Sequence, residues 1–88
     1  MEEILAGDFV LMNRPGARTV GLVYKVESGY ANTWWRVQDK PNGRPQIIQD
    51  RLPTSELRFV DESSPIPDSM ILLREDNFPN ESFRTRLK

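Results

Sequence analysis

Trp34 and Arg36 stand two residues apart in "NTWWRVQ" (32–38), and Arg14, Arg18, Lys40 and Arg44 lie in two turn-rich segments, 14–18 and 39–44. An indole held among cations has two uses. It can anchor a protein contact, because Trp and Arg are enriched where binding energy concentrates. It can also stack a nucleic-acid base while the cations meet phosphate. Farther along, Phe78, Phe83 and Leu87 are spaced on a polar background. That is the pattern of an arm whose apolar anchors become ordered on binding.

Bond-making chemistry has little to work with. The chain holds no Cys and no His. Disulfides, thiolate nucleophiles, zinc sites built on thiolate or imidazole, and any histidine base are therefore excluded. Asp61 with Glu62 and Glu75 with Asp76 are adjacent acids, but neither pair has the spacing of a calcium loop, and linker solubility accounts for them. Gly16, Gly21, Gly29 and Gly43 are too scattered for a phosphate-cradling loop. The chain reads as non-catalytic, with no cofactor and no metal.

Size and charge bound the rest. Eighty-eight residues make one small domain, and 38 % hydrophobic with 28 % charged residues suit a surface-rich globule better than a disordered chain. Apolar runs reach only four residues, as in "MILL" (70–73), far short of the roughly 18 a membrane span needs. The acidic start "MEEILAGD" lacks the basic-then-apolar order of a signal peptide, which predicts a cytoplasmic protein or one inside a virion. The net charge of −1 conceals a pattern: residues 13–60 carry +4, residues 61–83 carry −5, and 84–88 carry +3. The bland account is a mixed solvated surface. The sharper one is a basic body that its own acidic segment, 61–76, can neutralise.

Several short elements must position these residues. "GDFVLMN" (7–13) is a short apolar run between turn residues, and "RPGAR" (14–18) is a turn. "TVGLVYKVES" (19–28) alternates, with Val20, Leu22, Tyr24 and Val26 on one face, and predicts a half-buried strand. A tight turn at 28–30 leads into "ANTWWRVQ" (31–38), where alternation sends Trp35 to the core with Thr33 and Val37. Trp34 then shares the other face with Arg36 and Gln38. Asn42-Gly43 signals a hairpin into the return strand "PQIIQD" (45–50), which Pro45 opens. "LPTSELRFV" (52–60) predicts one tight helical turn over 53–56 and a last strand over 57–60.

"GDFVLM", "VGLVYKV", a tryptophan strand, a hairpin, and "PTSEL" leading into "RFV" together resemble the SH3-like small barrel over residues 7–60. The resemblance implies a one-turn 3₁₀ helix before the fifth strand, where "PTSEL" stands. "GDFVLM" with "VGLVYKV" is also similar to the KOW-type version, with its Gly-x-Val leading the second strand. Short bacterial and bacteriophage proteins of this kind look alike in these features. The family implies a binding module for proteins, peptides or nucleic acid. The short basic "NRPGAR" departs from the long acidic loop of peptide-binding SH3 domains.

The expected fold is therefore all-β: a five-stranded SH3-like barrel over 1–60, with an extended linker and docking tail over 61–88. "DESSPIPD" (61–68) favours polyproline II, while the period of "SMILLRED" (69–76) suits a strand and a helical turn equally. The tail docks on its own barrel or on a neighbour. Trp34 is covered by that tail near Met70 or Leu72, by a separate partner, or by a base. The leading functional expectation is a protein-interaction module, a small component of a larger, phage-type assembly. Its partner would be another protein chain or a second copy. The rival is a KOW-like barrel that binds nucleic acid.

Overall fold

The computed structural model describes residues 3–37, 43–61 and 64–78. Strands β1 (Phe9–Met12), β2 (Gly21–Glu27), β3 (Tyr30–Val37), β4 (Gln46–Pro53) and β5 (Leu57–Phe59) form one antiparallel sheet in the order β4-β3-β2-β1-β5. A single 3₁₀ turn, Thr54–Glu56, separates β4 from β5 where the sequence predicts one. Ser28 and Gly29 both have positive φ, 50° and 80°, the two-residue hairpin turn that matches strand twist between β2 and β3.

Two expectations are corrected. The sheet is not closed: among the described residues β4 pairs only with β3 and β5 only with β1, so hydrogen bonding leaves two edges where a barrel would have none. With three residues, β5 is long enough to cover β1 but no more. The second correction concerns the tail. The tail as a whole is expected to be extended, with strand and helical turn equally supported over 69–76; residues 68–77 form helix α1 (Asp68–Asn77) behind Pro67. Pro67 holds an extended ψ of 144° and Asp68 puts a carboxylate in the first turn, which together suit a helix start.

Both faces of the sheet are packed. One carries Phe9, Leu11, Val20, Leu22 and Val60, closed by Met70 from α1. The other carries Val10, Val23, Ala31, Trp35 and Leu57, with Val26 and Leu52 at its margin. The strand alternation predicted for β2 holds only to Tyr24. A bulge between Val23 and Lys25 inserts one extra residue, so Val26 pairs with Ala31 on the Trp35 face instead of following Leu22. One inserted residue reverses every side chain beyond it.

Met70 is fully buried, and Arg74, one turn on, is 5 % exposed and donates from Nε to the Gly7 carbonyl at 2.7 Å. The Gly7 N–H is itself bonded to the Val23 carbonyl at 2.7 Å, so the guanidinium ties α1 to the sheet through the chain entering β1. No described buried side-chain polar atom lacks a hydrogen-bond partner. No described helix is long and apolar enough to cross a membrane.

Candidate interaction surface

The β3–β4 register builds the surface. It sets Tyr30 opposite Pro53, Asn32 opposite Arg51, Trp34 opposite Gln49 and Arg36 opposite Ile47, all on the face that α1 covers farther inboard. Trp34 pairs with Leu22 on its other side and packs at the margin of the Met70 cluster. Its ring also stacks on Tyr24, with centroids 4.3 Å apart and planes at 22°. Trp34 is thus half-buried, covered first by Tyr24 and the helix-capped core of its own chain. Leu72, expected as a neighbour, is 59 % exposed. Trp35 is buried on the opposite face, as strand alternation requires.

Outboard of that stack the face is open. The Arg51 guanidinium lies 4.7 Å over the Tyr30 ring, a cation–π contact at an exposed site. Arg36 and Gln49 continue the face towards Ile47, which is 47 % exposed. On the reverse side of the same strand Ile48 is 44 % exposed. The open part therefore combines the Tyr30 ring, two arginines and an aliphatic side chain on one sheet face.

Of the cations singled out in the sequence, Arg14 and Arg18 are exposed in the β1–β2 loop and Arg44 is exposed just before β4. Lys40 lies outside the described residues. The β1–β2 loop enters β2 at Gly21, opposite Trp35, and Arg44 leads into β4 at Gln46, opposite Val37, so Arg14, Arg18 and Arg44 lie towards the same end of the β2–β3–β4 ladder. Arg36 is half-buried near that end. Phe78 is half-buried against the Met70 cluster and beside Gly7, so it is part of the molecule's own packing. Phe83 and Leu87 lie outside the described residues.

Carboxylates are placed for structure. Asp8 Oδ2 accepts the Leu5 N–H at 2.7 Å, Asp61 Oδ1 accepts from the Ser64 hydroxyl at 3.0 Å, and Asp50 Oδ1 accepts the Arg51 N–H at 2.9 Å. Among the described residues no group of three or more acids could hold a metal ion. Lys25 and Glu27 form a 2.6 Å ion pair on β2. The hydrogen bond to its partner, then the partner's charge, raises the Lys25 pKa and lowers that of Glu27. The Glu27 contribution to stability is lost as pH falls through its lowered folded value, and that of Lys25 as pH rises through its raised one. Both groups are solvent-exposed, so screening keeps the pair weak between those limits.

Tyr24, Tyr30, Arg51 and the Ile47-Ile48 pair are surface elements that sequence reasoning did not single out. The isoleucine pair carried a signal: adjacent apolar residues on a strand must point to opposite faces, as the two tryptophans do. Nothing in the sequence pairs Tyr30 with Arg51, because their proximity depends on the β3–β4 register. No protein-family model, curated protein or solved structure matches this chain.

Proposed function

We propose that the chain is a non-catalytic protein-interaction module, a small component of a larger assembly, that docks another protein through the open β3–β4 face. The observation that carries this reading is the juxtaposition of Tyr30, Arg51, Arg36 and exposed Ile47 beyond the edge of the helix-covered core. Tyr and Arg in such a setting supply large contact area with little ordering cost. The single 3₁₀ turn before β5 supports the relation to SH3-like barrels, whose members mostly bind other macromolecules. Docking through residues 68–78 forms no part of the proposal, because α1 and Phe78 pack on their own sheet.

The test uses exposed residues, so that folding is preserved. A Tyr30→Ser/Ile47→Ser/Arg51→Ala variant should keep the wild-type unfolding midpoint within a few degrees, as surface changes usually do. As matched baits in a lysate of the source cells, the wild-type chain should retain a protein that the variant loses by at least about tenfold, a typical cost of removing a hot-spot side chain. An identical retained set would overturn the proposal. Tryptophan quenching by a single-stranded oligonucleotide, weakening steeply with salt, would instead establish the nucleic-acid reading.

A further inference from the structure

Among the described residues strand β4 is an edge of the sheet, and its hydrogen-bonding geometry follows residue by residue. The β3–β4 ladder runs without a bulge from the Tyr30–Pro53 pair to the Val37–Gln46 pair. The Thr54 N–H donates to the Gly29 carbonyl at 2.9 Å, which fixes the phase at one end. Antiparallel pairs alternate between bonded and non-bonded. Leu52, Asp50, Ile48 and Gln46 therefore bond to β3, and Pro53, Arg51, Gln49 and Ile47 turn their peptide groups to the free edge. Two facts agree with this. Pro53, which has no N–H, stands at an outward position. The Arg51 N–H is held by the carboxylate of neighbouring Asp50 and not by β3.

The outward donors are thus Ile47, Gln49 and Arg51, and Pro45 and Pro53, equally distant from Gln49, bracket them. Such an edge reads the same in both directions. Laid antiparallel on itself about Gln49, it sets Ile47 against Arg51 of the second copy, Gln49 against Gln49, and Pro45 against Pro53. Every remaining donor then meets a carbonyl, and neither proline leaves one wanting. An unrelated extended peptide would need no such symmetry. A two-fold axis through an isologous edge does.

We propose that β4 pairs with β4 of a second copy across a two-fold axis at Gln49, joining two sheets into one. Ile47 then lies along the aliphatic stem of Arg51 of the other copy, which is already seated on Tyr30. The exposed Ile48 side chains approach diagonally on the opposite face. Asp50 regulates the pairing. Its carboxylate caps the Arg51 N–H in the free chain, as edge strands are commonly blunted, and pairing exchanges that bond for the Ile47 carbonyl of the second copy. The association is accordingly weak and set by concentration.

Sedimentation velocity on the full chain, from micromolar to millimolar, tests this. The wild type should pass from monomer to dimer. Asp50→Ala, which frees one donor per copy, should tighten the dimer by about tenfold. Gln49→Pro removes the central donor without touching a β3 bond and should stay monomeric while unfolding near the wild-type midpoint. If that variant does not fold, Ile47→Lys blunts the same edge and should have the same effect. Hydrogen exchange of the Ile47 and Gln49 amides should slow as the dimer forms. A wild type monomeric at millimolar concentration, a dimer indifferent to both edge variants, or amide protection independent of concentration overturns the proposal. The pairing shares Ile47 and Arg51 with the face proposed for partner capture, but Asp50→Ala and Gln49→Pro change neither these residues nor Tyr30 and Arg36, so their effect on the dimer is read apart from partner capture.

Discussion

Gly21→Ala should lower the unfolding midpoint by about 5–20 °C, a loss of ~1–3 kcal/mol, although it adds a single methyl group. Gly21 sits opposite Trp35 across the β2–β3 ladder and opposite Val10 across the β1–β2 ladder. A Cβ there would lie 2.7 Å from Cε3 and Cζ3 of the Trp35 ring and 2.9 Å from Thr33 Cγ2. Neither neighbour can give way cheaply, because Trp35 is 6 % exposed and Thr33 is fully buried. Replacing glycine in a strand ordinarily gains about 0.5–1 kcal/mol by restricting the unfolded chain. Steric overlap with a buried indole outweighs that gain, so the sign is destabilising. Thermal and urea unfolding check the magnitude. In a Trp35→Leu background the cost of Gly21→Ala should shrink, because the two sites share one contact and their effects are not additive. A Gly21→Ala chain as stable as wild type would mean that the indole does not lie over β2.

Met70→Ala should cost about 2–5 kcal/mol, a large fraction of the 5–15 kcal/mol that holds a domain together. Met70 is fully buried among Phe9, Leu11, Val20, Leu22 and Val60, and truncation leaves a cavity where α1 meets the sheet. A helix of ten residues is marginal alone, and its exposed residues are polar apart from Leu72. It exists because Met70 and Arg74 dock it. The far-ultraviolet helical signal and the sheet should therefore be lost in one transition, and Met70→Leu should remain within about 1.5 kcal/mol of wild type. Loss of the helical signal with the sheet's midpoint unchanged would restore the picture of a free arm attached to a self-sufficient sheet.

That contrast shows where the sequence is informative. Hairpin and strand positions depend on neighbours in the chain, and most were legible. Strand β4, however, runs to Pro53, beyond the expected 45–50, and Asn42 of the second hairpin lies outside the described residues. Ser28-Gly29 turns where expected, and the 3₁₀ turn stands at Thr54–Glu56. The period of two splits Trp34 from Trp35 without reference to any other strand. Only part of the candidate surface followed. Trp34 and Arg36 do share a face, but Tyr30 over Arg51 and the free edge of β4 depend on pairing register.

The sequence by itself determined that Trp34 and Arg36 lie on one face and Trp35 on the other, because side-chain direction on a strand is a local property. Tertiary structure alone decided what covers Trp34. The bulge after Val23 exists only in the pairing of β2 with β3, and it leaves Tyr24 free to stack on the indole. The four apolar residues "MILL" carry no period of their own. They became helix because a fully buried Met70 and an Arg74 bonded to the Gly7 carbonyl close the second face of the sheet, a gain no local segment can register.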